Sequence, residues 1–439
     1  MNPNLTAVSH HLESIFSSTA DEAARQTGFV QRQSKLGGSD FARTLVFGWL
    51  QNPQATLEEL AQCSTALGVR ISPQGLDQRF GPRAAAFFER LLHEAVLRVV
   101  SADPVTIPLL QRFPGGVCLI DNTSLTLPPA FAESWRASGA GPEKDVAGMK
   151  VHVRLDLVDG TLTGPFIHPG YVSEQTTTER APPLPPGVLR LADMGFFSLE
   201  NLEALNQQEV CWLTRVQFNT RFRDGNGQVW TLPAFVAQLQ GDRADVAILL
   251  GLDQRIPCRL IVVRASPEVV EKRRQRLQKY LRRRGRVHPD RWLLAEWTIY
   301  VTNIPAEKLS VEEALILARC RWQIELLFKL WKSEGRVDES RSRKPWKVLC
   351  EIYAKLLGMV VQHWLLLVGC WSHADRSLVK ASRTVRRHIW PLALVLTRGH
   401  LVHGILMHLQ RCLATGCRVN RRRRAPPTHQ LLLALSKAG

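Results

Sequence analysis

Paired cysteines are the first thing this chain lacks. Nine cysteines occur, at Cys63, Cys118, Cys211, Cys258, Cys320, Cys350, Cys370, Cys412 and Cys417, each standing singly with no C-x-x-C pair among them. An odd number without paired spacing argues against both a disulfide framework and a zinc ribbon, so reduced thiols of a cytosolic protein are expected. Met1 to Ser17 hold no basic stretch followed by an apolar run, which argues against a secretory signal. No hydrophobic run reaches bilayer length. The longest, Leu356 to Trp371, is interrupted by Gln362 and His363 and reads as a buried helix. Internal repeats are lacking as well. Acid is scarce: Asp+Glu number 39 against Lys+Arg 57, giving a formal charge of +18 and a pI near 10.0. That surplus favours a polyanionic partner, because each neutralised phosphate releases condensed counterions. Charge alone leaves membrane surfaces and acidic proteins open.

What is present is ordinary for a globular protein. At 439 residues, 45% hydrophobic and 22% charged, the chain can bury one large core with one or two smaller domains. Up to about Asp103 it reads as helical. Thr56-Leu57-Glu58-Glu59 is a capping box opening a helix to Leu67; Gly68 supplies a turn, and Ser72-Pro73 starts a second helix carrying Gln74, Leu76, Gln78 and Arg79. The pattern suits a helix-turn-helix, in which Gln74, Gln78 and Arg79 would face DNA, and equally a plain helical hairpin. Val151 to Val158, a turn at Asp159-Gly160 and a strand through Phe166 and Ile167 form a β-hairpin pattern. A Pro-rich connector, a β-rich stretch from Val210 to Val263, a basic segment, a strand from Trp297 to Val301 and a long helical remainder follow.

Two acids stand at the ends of hydrophobic runs: Asp121 after Gly116-Val117-Cys118-Leu119-Ile120, and Asp193 after Gly187-Val188-Leu189-Arg190-Leu191-Ala192. In an open α/β sheet the carboxyl ends of strands border the ligand crevice, and an acid on a rigid strand end suits a metal ligand. Either acid alone is better explained as a turn former. A third acid, Glu325, lies in a helix expected to run unbroken from the capping box Ser310-Val311-Glu312-Glu313 to about Ser333. At about 100° per residue, Arg321 and Lys329 lie about 40° from Glu325 and Lys332 about 20° away. The rest of that helix is largely apolar (Trp322, Ile324, Leu326, Leu327, Phe328, Leu330, Trp331), so its charged stripe needs a polar destination. Cations around one acid fit a site receiving metal and phosphate; a solvated face is the alternative.

The spacing R-x3-E-x6-K at Arg321, Glu325 and Lys332, within R-W-Q-I-E, resembles the Y-x2-R-x3-E-x6-K signature of the insertion-sequence-four family of bacterial transposases. Asp121 in L-I-D-N-T-S and Asp193 in A-D-M-G-F resemble that family's two Asp motifs, and the resemblance runs from about Gly116 to Lys332. It implies an α/β ribonuclease-H-like mixed-sheet core with a β-rich insertion, a helical N-terminal DNA-binding domain and a helical C-terminal region. Asp121, Asp193 and Glu325 would bind two Mg²⁺ ions, with Mn²⁺ as a substitute, and Arg321, Lys329 and Lys332 would hold DNA phosphates. Clustered acids repel one another until a divalent cation relieves them, which agrees with that implication. Ala318 occupies the signature Tyr position, a departure on the face about 20° from Glu325.

The interval from Asp193 to Glu325 fits the family's insertion. There Trp297 matches a Trp that relatives stack on a flipped base, though a core Trp at a strand start serves as well. Arg273, Arg274, Arg276, Arg282, Arg283 and Arg284, within the run Lys272 to Arg286, would follow a DNA backbone unless they are merely solvated. Arg421 to Arg424 read as a basic tail. Asp156 is a rival carboxylate on the strand neighbouring that of Asp121; His152 and His168 read as ordinary core or loop histidines. The expected organisation is residues 1–110 binding DNA ends, 111–209 the first part of the core, 210–302 the insertion, 303–345 the Glu-bearing helix and 346–439 the helical remainder. The expected protein is a cytoplasmic, nucleoid-associated transposase acting on double-stranded DNA as a homodimer without a membrane. A DNA-binding regulator that has lost catalysis, or a nuclease of the same fold, are the alternatives.

Overall fold

Hydrophobic runs become strands and helices much where the pattern places them. This computed structural model describes residues 3–32, 35–139, 146–420 and 426–438; Arg421 to Arg424 lie outside the described residues. The helices used below are α1 (Gly38–Gln51), α2 (Leu57–Ala66), α3 (Pro73–Asp77), α4 (Pro82–Val96), α5 (Pro267–Arg284), α6 (Val311–Cys320), α7 (Trp322–Ser333), α8 (Pro345–Gly369), α9 (Leu378–Val395) and α10 (Gly399–Thr415). The strands are β1 (Val117–Leu127), β2 (Ala147–Asp156), β3 (Leu162–Pro169), β4 (Leu189–Ala192), β5 (Cys211–Thr214), β6 (Arg221–Arg223), β7 (Val229–Thr231), β8 (Arg243–Leu250), β9 (Ile256–Arg264) and β10 (Trp297–Thr302). The architecture is mixed α/β, with a large mixed sheet and many helices. Contacts divide the chain into two units, neither contiguous in sequence: Met1–Ile107, Asp121–Ala181 and Trp322–Gln430 form one, and Pro108–Ile120, Pro182–Arg321 and Leu431–Gly439 the other.

The second unit carries the strand order β1-β4-β5-β10-β9-β8-β6-β7. β1 pairs with β4, and β4 with β5, in parallel; from β10 onward the pairings are antiparallel. Val117 to Ile120 and Leu189 to Ala192 are buried without a break, as strands covered on both faces require. Trp212, Phe222, Leu260, Val262 and Val301 make the main core of this unit. Buried Arg259 pairs with Asp245 at 2.6 Å and donates to the carbonyls of Ile304 and Leu309, both at 2.9 Å. It thereby fixes the segment leading into α6, whose Ser310 and Glu313 form the expected capping box.

The first unit is built around α8, 25 residues long and with 94% of its most apolar window buried, so it is a core helix. The expected buried helix is therefore present. Inside it, Lys355 and Glu351 form an ion pair at 2.7 Å, and the same ammonium donates to the carbonyls of Arg336 (3.0 Å) and Glu339 (2.8 Å). A buried pair of this kind is tolerated because its remaining protons are satisfied. The predicted β2–β3 hairpin is present, pairing Val151 with Ile167. Gly160, at its turn, has φ +76, and a Cβ there would lie 2.6 Å from the Trp371 ring. That close approach lets His363 of α8 meet the Gly160 carbonyl at 2.7 Å.

Two expectations are corrected. The helix expected to run from Ser310 to Ser333 is two helices, α6 and α7, parted at Arg321. The expected second helix of the N-terminal pair is only the five-residue α3, ending at Asp77, so Gln78 and Arg79 lie beyond it. Asp77 is taken by Lys344 and by Lys347 at 3.0 Å. Phe80 packs on Phe41 and Trp49, ring centroids 5.9 and 6.4 Å apart. The chain thus turns into α4 instead of extending a recognition helix, and the helical-hairpin reading fits this stretch.

Complete burial pushes the His363 imidazole down to about 4, so it is neutral and its Nε2–H donates to Gly160. Buried His168 is also lowered to about 4, chiefly by desolvation. An unfolded histidine takes up its proton near pH 6.5, so as pH falls below that the unfolded state is protonated first. Stability held at neutral pH is then lost as pH falls from about 6.5 towards about 4. About 2 kcal/mol should be lost through His363 by pH 5. Urea denaturation at pH 7 and pH 5 checks this: the drop should be clearly smaller in His363→Gln than in the parent, and equal drops would contradict it.

Candidate active site

Each candidate acid is set by local packing. In β1, burial is continuous through Ile120 and then alternates, with Thr123, Leu125 and Leu127 buried and Ser124 and Thr126 exposed. Asp121 is half-buried at that change of pattern. It does not terminate its strand as expected, because β1 continues to Leu127; what ends at Ile120 is the register with β4, where Ile120 pairs with Ala192. The Asp121 Oδ1 accepts from the Asn122 amide at 2.8 Å. Asn122 is held in turn by His152, whose Nδ1–H donates to Asn122 Oδ1 at 2.8 Å, and by Thr177, which accepts from Asn122 Nδ2 at 3.1 Å. His152 is a fully buried core histidine, as expected, but it also orients the neighbour of Asp121, which no spacing in the sequence signals.

Asp193 does end β4, and it caps a 3-10 turn by accepting from the Met194 amide at 2.7 Å. The D-M-G-F sequence folds this way because Phe196, fully buried, packs among Cys118, Ile120, Val188 and Ala192. The ring anchors the turn while Asp193 stays half-buried at its rim. Rival Asp156 is accounted for: its Oδ1 accepts from the amides of Val158 (2.6 Å) and Asp159 (3.2 Å), closing the hairpin turn.

Glu325 lies half-buried in the first turn of α7. Ile324, Leu327, Phe328, Leu330 and Trp331 of this helix are buried, whereas Trp322 is 55% exposed and Leu326 37%. The helix is therefore less enveloped than its apolar content implied. Lys329 is exposed, and Lys332 donates to the Ser124 carbonyl of β1 at 2.9 Å, both ends of that bond belonging to the first unit. At its far end, a Cβ at Gly335 would lie 2.7 Å from the Trp331 carbonyl oxygen and 2.5 Å from Met359 Sδ of α8, and the backbone oxygen is the contact that favours glycine. The wheel relation of Lys329 and Lys332 to Glu325 holds within α7. Arg321 and Ala318 precede α7, and the Arg321 backbone keeps right-handed helical dihedrals (φ −51, ψ −30).

Two other groups of predicted DNA contacts separate. Trp297 is 6% exposed within the core of the second unit, with the Arg264 guanidinium 5.2 Å from its ring centroid. A ring so enclosed has no free face for a base, and the core reading is the one its burial supports. In α5, no residue is buried. Even so, Arg273 donates to the carbonyls of Ala295 (3.2 Å) and Trp297 (2.8 Å) and to Thr298 Oγ1 (2.9 Å), and Arg274 pairs with Glu296 at 2.7 Å. Those two tether the helix. Arg276, Arg282, Arg283 and Arg284 are exposed, and none is in an ion pair among the described residues. Gln74 and Gln78 are exposed and Arg79 is half-buried.

Residues 112–360 match the family model of the transposase DDE domain, a span that is more than half of the chain and includes Asp121, Asp193 and Glu325. The class is that of DNA-acting transposition enzymes dependent on a divalent metal. A transposase for insertion sequence element IS231C of Bacillus thuringiensis subsp. berliner is 27% identical, over 78% of this chain and 76% of its own. A transposase for insertion sequence element IS1151 of Clostridium perfringens is 23% identical over 84% and 82%. The putative transposase InsL for insertion sequence element IS186A of Escherichia coli (strain K12) is 31% identical over 39% and 49%. This chain belongs to the DDE transposases of the insertion-sequence-four type.

If Trp297 is core, Trp297→Ala should cost about 3–5 kcal/mol of stability, as truncating a buried aromatic does. Chemical denaturation of the variant measures this, and unchanged stability would return Trp297 to the DNA surface.

Proposed function

We propose that this transposase binds the inverted-repeat ends of an insertion sequence, cuts a strand to expose a 3′-hydroxyl and joins that end to target DNA. The observation that carries the reading is the position of the acids on their elements. Asp121 and Asp193 each directly follow the last register pair of two parallel strands, Ile120 with Ala192. Glu325 shares α7 with Lys332, whose bond to Ser124 lies three residues along β1 from Asp121. In this reading Asp121, Asp193 and Glu325 converge at the edge of a ribonuclease-H-like core. The donors are all carboxylate oxygens, half-buried and so still within reach of solvent, which fits a hard cation such as Mg²⁺, or Mn²⁺ in its place. Two such ions would supply activation of the attacking hydroxyl and stabilisation of the leaving oxygen in an in-line displacement.

The chain's own residues do the rest. Lys329, exposed one turn from Glu325, Lys332 and Arg321 hold phosphate oxygens of the DNA end. Arg276, Arg282, Arg283 and Arg284 on α5 follow the backbone away from it, and Gln74 and Gln78 belong to the N-terminal surface that meets the repeats. Because both ends must be processed, a homodimer holds them, in the cytoplasm and on the nucleoid. Ala318, where the family signature has Tyr, favours one second reading: a DNA-binding regulator without strand transfer.

Purified protein with Mg²⁺ and end-containing DNA should yield cleaved and joined products. Glu325→Gln should bring cleavage to background while leaving DNA binding in a gel-shift assay intact. Undiminished cutting by Glu325→Gln would remove that residue from the mechanism, and binding without product in the parent would favour the regulator. Changing Arg282, Arg283 and Arg284 together to Gln should flatten the dependence of log affinity on log salt by up to about 2.7, at about 0.9 per phosphate contact. An unaltered slope would make α5 a merely solvated helix.

A further inference from the structure

Outside the carboxylates, a cluster of metal-ligating side chains assembles among the described residues of the first unit. His388 comes from α9, and His408 and Cys412 from the neighbouring α10. One ligand atom from each lies within 4.8 Å of the other two. Cys412 Sγ and His408 Nε2 are 3.7 Å apart, and the rings of His388 and His408 meet edge to face with centroids 5.0 Å apart. The i, i+4 spacing puts His408 and Cys412 on one face of α10. Tetrahedral zinc, with its sulfur near 2.3 Å and its nitrogens near 2.0–2.1 Å, brings sulfur and nitrogen ligands about 3.6 Å apart. The observed separation already has that value within about 0.1 Å.

We propose that His388, His408 and Cys412 form a binding site for a zinc-class transition metal that joins α9 to α10. Two imidazoles and a thiolate are borderline-soft donors and select zinc, cobalt or nickel, whereas the all-oxygen carboxylate set suits magnesium and manganese. The two sites therefore sort metals by chemistry. Cys258, Cys320, Cys350 and Cys370 are buried core thiols, whereas Cys412 is only half-buried. Three protein ligands leave one tetrahedral position for water. The join would brace α9 where it is weakest, because Pro391, three residues after His388, removes an amide donor from the helix interior.

The test uses the full-length protein, stripped with chelator and held in excess Mg²⁺ so that the carboxylates do not compete. Titration with Co²⁺ should bind one equivalent and produce a near-ultraviolet thiolate-to-cobalt charge-transfer band, reversed by Zn²⁺. Cys412→Ser should abolish the band, and His388→Gln and His408→Gln should each weaken Co²⁺ binding about tenfold or more. No band in the parent, or a band that persists in Cys412→Ser, overturns the proposal. A measurement on the unmutated chain guards against misfolded variants: Zn²⁺ should slow alkylation of Cys412, read by mass spectrometry of its peptide, and chelator should restore it. Equal alkylation with and without Zn²⁺ also overturns it.

Discussion

The parallel register of β1 with β4, which stops at Ile120 and Ala192, is the constraint on which the catalytic reading turns. Up to that pair both strands are buried on each face, and the buried Arg190 of β4 donates to the Phe196 carbonyl at 3.4 Å. Past it, β1 alternates between buried and exposed positions, and the first side chain after the pair is Asp121. On β4 the chain leaves the sheet at once, and Phe196 pins the resulting turn so that Asp193 caps it. A carboxylate at such a point has a rigid backbone behind it and access to solvent ahead, which is what a metal ligand needs.

Glu325 depends on a different set of contacts. α7 presents one buried face, is bonded to β1 through Lys332, and closes against α8 at Gly335. The Lys355 ammonium then collects the carbonyls of Arg336 and Glu339 while paired with Glu351. Placing that pair inside a 25-residue apolar helix costs desolvation, and the bonds to the chain after α7 offset it. The end of the Glu-bearing helix is thus held by hydrogen bonds to a buried charge, whose geometry is far narrower than apolar packing would impose.

The surplus of positive charge is not one reservoir. Arg259, Arg273 and Arg274 are committed to carbonyls and carboxylates of their own unit, whereas Arg276 and Arg282 to Arg284 are exposed on α5. Basic residues two to eleven positions apart in one run therefore have opposite uses, and the run as a whole cannot be assigned to DNA. The cysteines divide in the same way. Several are packed core thiols, while Cys412 sits beside two imidazoles.

By itself the sequence determined the mixed α/β class, the hairpin at Asp159-Gly160, the capping boxes at Thr56 and Ser310, the buried helix around Leu356, and the acids Asp121, Asp193 and Glu325 as candidates. These are local signals: a side chain's period, a cap or a turn residue acts on its own few neighbours, so the order of residues suffices. Only the tertiary structure decided that Trp297 is buried, that Arg273 is a tether, that the helix before Glu325 breaks at Arg321, and that His388 meets His408 and Cys412. Each of those depends on which distant segment lies alongside, and a residue's partner across long sequence separation is fixed by packing that periodicity does not encode. The same aromatic or arginine serves core or surface equally well until the neighbouring element has taken its place.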